Sequence, residues 1–137
     1  MPTSAVLDSF ALLAFLKQEP GEQEVAGLLR QSSEGELRVG ITVVNLGEVW
    51  YRFARLHSDL KADQAVHKLK ALEVEVIEVD WALTRRAAAY KKLGGLSFAD
   101  CYAAALAKHW GAMLVTGDPE FKHVEKEVQI RWIGGKK

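Results

Sequence analysis

The sequence predicts one α/β domain built around a mainly parallel sheet with helices on both faces. Three observations predict it. The chain has 137 residues, inside the roughly 100–200 expected of one domain. Short apolar runs alternate from end to end with segments whose apolar residues recur at helical spacing, and repeated strand–helix–strand order favours parallel pairing. Side chains that cap helices stand at the junctions between the two kinds of segment.

Taken in order, Ser4–Leu7 is a short apolar strand, and Ser9–Lys17 has a helical pattern that stops before Pro20-Gly21. Glu22–Gln31 is a second helix with Val25, Leu28 and Leu29 on one face, followed by a strand at Arg38–Ile41. Thr42 is a good N-cap for a helix over Val43–Leu56, and another helix starts at Asp59 or Leu60 and runs to about Leu72. Val74–Val79 alternates apolar and acidic residues, the pattern of a strand near an edge. Asp80 caps a helix reaching Leu93, which Gly94-Gly95 ends. Ser97-Phe98-Ala99-Asp100 resembles a capping box opening an alanine-rich helix to Trp110, closed by Gly111. Ala112–Thr116 is a strand, Asp118-Pro119 opens a short helical turn, and Val128–Ile133 is a last strand. The domain is expected to span residues 1–133, leaving 134–137 as a flexible tail.

Composition narrows the class. Hydrophobic residues at 49% and charged residues at 26% make an ordinary globular mixture. The lone Cys101 leaves neither an internal disulfide nor a cysteine-built zinc site, and fits a reducing compartment. The longest apolar run, Phe10–Leu16, has seven residues, against the roughly 18 that suggest a membrane span. Met1-Pro2-Thr3-Ser4 lacks the positive segment of a secretory signal, so a cytoplasmic protein is expected. Eighteen basic residues balance 18 acidic ones, which on its face disfavours a nucleic-acid binder.

Four acids carry the candidate chemistry, and each has a structural explanation of its own. Asp8 and Asp118 each follow an apolar strand and can cap the next helix, Asp118 with proline behind it. Asp100 lies three residues after Ser97, in a favourable first-turn position. Glu48 belongs to the polar helix stripe Asn45, Glu48, Arg52 and Arg55, which is also the pattern of a solvated face. Their joint placement is more informative. In an open parallel sheet, strand C-termini and the N-termini of the following helices share the edge where ligands bind, and all four acids fall near that edge. Nearby carboxylates oppose one another's ionisation, so such a cluster is most readily tolerated around a cation. Oxygen donors suit Mg²⁺ or Mn²⁺, and this set supports metal-assisted phosphoryl-transfer chemistry.

Four stretches then carry a family resemblance: Val6-Leu7-Asp8-Ser9-Phe10-Ala11-Leu12-Leu13-Ala14, Val44-Asn45-Leu46-Gly47-Glu48-Val49, Leu96-Ser97-Phe98-Ala99-Asp100, and Leu114-Val115-Thr116-Gly117-Asp118-Pro119-Glu120-Phe121. In this order and spacing the chain resembles a PIN-domain ribonuclease, and more narrowly the VapC-type toxins of type II toxin–antitoxin systems. The resemblance implies a three-layer α/β/α sandwich and magnesium- or manganese-dependent endoribonuclease activity at the quartet Asp8, Glu48, Asp100 and Asp118. Asp8 and Asp100 would be the leading metal ligands, Glu48 would orient a water or act as base, and Asp118 would complete the site. Thr116 matches a hydroxyl that hydrogen-bonds within the cluster, and Asn45 a helix position that supports the site or meets substrate. It also implies a homodimer and a VapB-type antitoxin partner.

Arg52 and Arg55 continue the Glu48 face and are the first choices for RNA phosphates, whereas the other basic groups fit solvated faces. Trp50, Tyr51, Phe53, Trp81, Tyr90, Tyr102 and Trp110 are expected in the core or at a dimer contact, and the four histidines show no paired metal spacing. Two other readings remain: an RNA-processing PIN nuclease without an antitoxin, and a phosphoacceptor or binding module. The second expects a lysine ending a late strand, where this chain has Thr116-Gly117-Asp118. Setting the quartet aside leaves 18 basic against 14 acidic residues, a charge of +4. Neutrality is therefore an average over a proposed acidic pocket and a modestly basic surround.

Overall fold

The structure, a computed structural model, describes residues 3–134. Residues 135–137 of the expected tail lie outside the described residues, as do residues 1 and 2. Within them, β1 is Ser4–Leu7, α1 Ser9–Leu16, α2 Glu22–Ser33, β2 Arg38–Thr42, α3 Val43–Leu56, α4 Asp59–Ala71, β3 Glu75–Ile77, α5 Trp81–Leu93, α6 Phe98–Trp110, β4 Met113–Thr116 and β5 Ile130–Trp132. A 3₁₀ helix, Pro119–Val124, lies between the last two strands.

The five strands form one sheet in the order β3-β2-β1-β4-β5, and every pair is parallel. The strands' period-two alternation divides the core. Ala5, Leu7, Val39, Ile41 and Val115 pack with apolar residues of α1, α2, α3 and α4 on one face. Val6 and Leu114 pack with α5 and α6 on the other. The expected three-layer α/β/α sandwich is therefore the observed one. It also explains why α6 is so rich in alanine: Cys101–Ala107 are all buried, and the helix packs on β1, β2 and β4 as well as α5 and α3. Close backbone approach leaves room for small side chains.

Local signals place the elements well. The hydroxyls of Thr42, Ser58 and Ser97 and the carboxylates of Asp8 and Asp80 each accept a backbone N–H in the first turn of the following helix. Two strands are shorter than their patterns suggest. Val74–Val79 contracts to β3, because Thr42 pairs with Ile77 and the neighbouring chain then turns into α3. Val128–Ile133 contracts to β5, whose last partner is Thr116 at the end of β4. The edge position expected for β3 is observed. Gly134 does not hang free: its N–H lies 3.5 Å from Glu24 Oε1.

Candidate active site

The site grows from the strand order. The chain passes from β1 to β2 on one side, while β4 pairs with β1 on the other. This is the switch point of an open α/β sheet, where diverging connections leave a crevice beyond the strand ends. Asp8 follows β1, and Asp118 follows β4 by two residues. Asp100 is the third residue of α6 and Glu48 the sixth of α3.

Asp8 performs both roles that its sequence position allows. Its Oδ1 accepts the Ala11 N–H at 2.8 Å, capping α1, and Oδ2 accepts the hydroxyl of Thr116. Thr116 is fully buried and also accepts the Asp118 N–H at 3.0 Å, so one hydroxyl ties the ends of β1 and β4 together. Asp8 is 1% exposed. Burial pushes its carboxyl to about 8; the Thr116 and Ala11 hydrogen bonds oppose the rise, and the charges of Asp100 and Asp118 add to it.

Asp100 is the hub of the cluster. Burial lifts its carboxyl to about 6 against the lowering hydrogen bond from Ser97, and the charges of Asp118, Glu48 and Glu120 push it further up. The carboxylates of Asp100, Asp118 and Glu120 offer oxygens within 4.8 Å of one another. Asp118 itself caps the 3₁₀ helix by accepting the Glu120 N–H at 2.9 Å. Glu48 is half-buried; its Oε1 accepts the Ser9 hydroxyl at 2.8 Å, and Oε2 lies 3.8 Å from Arg52 Nε. Four elements thus gather the four sequence-chosen acids around Asp100, which feels Asp118 and Glu48 and itself acts on Asp8.

The arrangement adds two residues and narrows the reading of a third. Glu120 belongs to the last matching stretch without a role of its own there; the tight 3₁₀ turn after Pro119 carries it beside Asp118, and the Asp-Pro-Glu spacing is the available signal. Ser9, in the first matching stretch and at the start of α1, proves to donate its hydroxyl to Glu48 Oε1. Asn45, expected to support the site or meet substrate, has no exposed surface, and its amide donates to Ser9 and to the carbonyl of Ala99. It is a brace inside the site, because a side chain with no surface meets no substrate. Arg52 sits beside Glu48, whereas Arg55 lies 5.0 Å over the Tyr51 ring.

The remaining candidates behave as packing. Cys101 is buried, and burial pushes its thiol to about 11. Tyr90 and Tyr102 are buried, and Tyr102 donates to the Thr84 hydroxyl at 2.9 Å. Trp81, expected in the core or at a dimer contact, is 72% exposed and so lies outside the core. A cleft of about 320 Å³ lies elsewhere, lined by Arg38, Ile77, Leu83, Arg86, His109 and Trp110, with none of the acidic quartet on its walls. Size does not mark the candidate site here; converging carboxylates do.

Fold and site together define a three-layer α/β domain with an acidic centre at the switch point of a parallel sheet. A family model described as PIN domain matches residues 5–127, and the chain belongs to that family. Solved structures of the same fold include toxin–antitoxin complexes. VapBC2 from Rickettsia felis bound to a promoter DNA fragment has a TM-score of 0.73 at 16% identity, with 95% of this chain and 98% of that one covered. VapBC from Salmonella typhimurium bound to DNA has a TM-score of 0.71 at 18% identity, covering 93% and 96%. VapC20 from Mycobacterium tuberculosis, described as a sarcin–ricin loop cleaving toxin, has a TM-score of 0.69 at 19% identity, covering 86% and 92%. A sequence search among curated proteins finds no match.

Proposed function

We propose that the protein is a Mg²⁺- or Mn²⁺-dependent endoribonuclease and the toxin of a toxin–antitoxin pair. The observation that carries this reading is the convergence of carboxylates from four elements, two of them held protonation-prone by burial and mutual charge. A site that resists its own ionisation gains most from a divalent cation, which favours the charged carboxylates. The donor chemistry fits: every group is a hard oxygen, and Glu120 adds one beyond the expected set. Asp8, Asp100 and Asp118 would hold the ion, with Glu48 beside them. When bound, the ion would activate a water and offset charge on a phosphodiester.

The chain's own residues supply the rest. Thr116 orients Asp8 and couples it to Asp118. Glu48, with one oxygen anchored by Ser9, is placed to orient the attacking water or take its proton. Arg52 lies where an RNA phosphate would find a cation beside the acids. The toxin assignment rests on the solved relatives, which are toxin–antitoxin complexes. A VapB-type antitoxin and a homodimer follow from the same likeness, as does action in the cytoplasm. Among the described residues no helix is long and apolar enough to cross a membrane.

Purified protein incubated with RNA and Mg²⁺ or Mn²⁺ should cleave it, and EDTA or Asp8→Ala should each abolish cleavage. Activity that survives both treatments would refute the mechanism. Induction in cells should arrest growth, with relief on co-expression of a cognate VapB-type antitoxin.

A further inference from the structure

The buried Asn45 amide does more than fill space. Leaving a buried polar atom unpaired costs about 1–3 kcal/mol, and here both polar atoms of the amide are paired. Oδ1 accepts the Thr42 hydroxyl, while Nδ2 donates to the Ala99 carbonyl at 3.0 Å and to Ser9 Oγ at 3.4 Å. The Ala99 carbonyl can only accept, so the amide nitrogen must face it, and this fixes which way the amide points. Ser9, 4% exposed, then accepts a hydrogen bond from Asn45 and has its own O–H to donate. Glu48 Oε1 at 2.8 Å is a nearer acceptor than the Asn45 carbonyl at 3.2 Å.

The consequence is a directed chain of donors from Asn45 through Ser9 to Glu48, with a second arm from the same amide to Ala99. Ala99 immediately precedes Asp100. One side chain on α3 therefore grips α1 and the first turn of α6, and through them two acids contributed by different elements. Glu48 is left with one oxygen anchored and Oε2 free toward Arg52.

We propose that Asn45 and Ser9 form a positioning bracket that holds the Glu48 carboxylate in register with Asp100, and that the site loses metal affinity and turnover when it is opened. The inference rests on the nuclease reading above and extends it to residues that touch neither ion nor substrate. A brace with a purely structural role would satisfy the same hydrogen bonds and couple Ser9 to Glu48 in stability, but it would leave Mn²⁺ affinity and kcat unchanged.

The test compares wild type, Ser9→Ala, Glu48→Ala and the double variant. Mn²⁺ binding is read by electron paramagnetic resonance without RNA, RNA cleavage is resolved into kcat and KM, and stability of the metal-free protein is read by urea denaturation. Ser9→Ala keeps the Ala99 arm and should lower Mn²⁺ affinity and kcat by about 10–100-fold, with KM changed by less than about twofold. In the Glu48→Ala background it should have little further effect on either, and the two substitutions should be non-additive in denaturation. Wild-type Mn²⁺ affinity and kcat in Ser9→Ala, or additivity in the cycle, overturns the bracket. Asn45→Asp is isosteric but loses both donors, and should fall further than Ser9→Ala; a smaller fall also counts against the bracket. If wild type neither binds Mn²⁺ nor cleaves RNA, the nuclease reading fails; the denaturation cycle alone then decides the bracket, additivity overturning it.

Discussion

Helix α6 changes character within one turn. Its first residues carry Asp100, raised to about 6 among other acids, whereas Cys101–Ala107 are buried without a charge among them. The same contrast separates the two ends of the sheet's interior. Toward the strand C-termini, buried polar groups and like charges meet at Asp8 and Thr116. At the far end of α6, the Trp110 ring lies so close to Gly40 that a Cβ there would stand 2.4 Å from it. One region holds the domain together by close packing, and the other stores unfavourable charge that a ligand would relieve. The packed face makes that cost tolerable.

The sharpest way to break this contrast is Asp8→Asn. The amide still accepts the Ala11 N–H, so the α1 cap survives, but the buried charge is gone. RNA cleavage should fall by at least ~100-fold, the upper end for loss of even a supporting metal-site group. The metal-free protein at pH 8 should instead become more stable, by about 1–2 kcal/mol, as expected where activity is built on a destabilised site. Denaturation and cleavage measured on one preparation check both. A variant that loses activity and stability together would show that Asp8 is chiefly structural.

The packed region should give the opposite signature. Gly40→Ala pushes a methyl into Trp110, and overpacking of this kind costs about 1–3 kcal/mol. Urea midpoints should drop accordingly, while Mn²⁺ affinity of the remaining folded protein stays at the wild-type value. If Mn²⁺ affinity falls in proportion to stability, the two regions are not separable as described.

The charge stored at the acidic end should also appear in pH dependence. The Asp8 carboxyl is raised from 3.8 to about 8, and Asp100 to about 6. Between the unfolded and folded values the native state binds more protons than the unfolded chain, so stability falls as pH rises. The contribution is complete below pH 4, and is lost first by Asp100 toward pH 6 and then by Asp8 toward pH 8. One site can lower stability by at most about 1.4 kcal/mol per pH unit. Thermal melts in EDTA should therefore drop from pH 5 to pH 8, and saturating Mg²⁺ should flatten the trend. A metal-free melting temperature that climbs across this range would contradict the raised carboxyls.

How much of this was legible follows from what each feature depends on. The fold was, because Thr42, Asp80 and Ser97 stop one pattern and start the next within a few residues. The meeting of Asp8, Glu48, Asp100 and Asp118 at one edge was, because a parallel sheet sends strand ends and helix starts there whatever the side chains. Ser9 was not: its partner Glu48 lies 39 residues away, and nothing local distinguishes it from any first-turn serine. Asn45 was placed on the same outward stripe as Glu48, Arg52 and Arg55 because a helical wheel gives angle and not neighbours. Packing of α1 and α6 against α3 buries one end of that stripe and leaves the other in water. The strand ends at β3 and β5 were overextended for a related reason, since pairing stops where the partner strand stops.

The smallest expected effect tests where the acidic end meets solvent. Arg52 is more than half exposed and 3.8 Å from Glu48, an i,i+4 pair worth about 0.3–0.5 kcal/mol. Arg52→Gln should therefore leave the urea midpoint almost unchanged. If Arg52 meets RNA, its charge serves a phosphate, and losing one such contact weakens binding and reduces the salt dependence of binding by about one unit of log–log slope. KM should rise several-fold at low salt and converge on the wild-type value as salt increases, with kcat held. A fall in kcat at constant KM would instead show that Arg52 acts through Glu48, and would move the boundary between substrate-holding and water-orienting residues outward along α3.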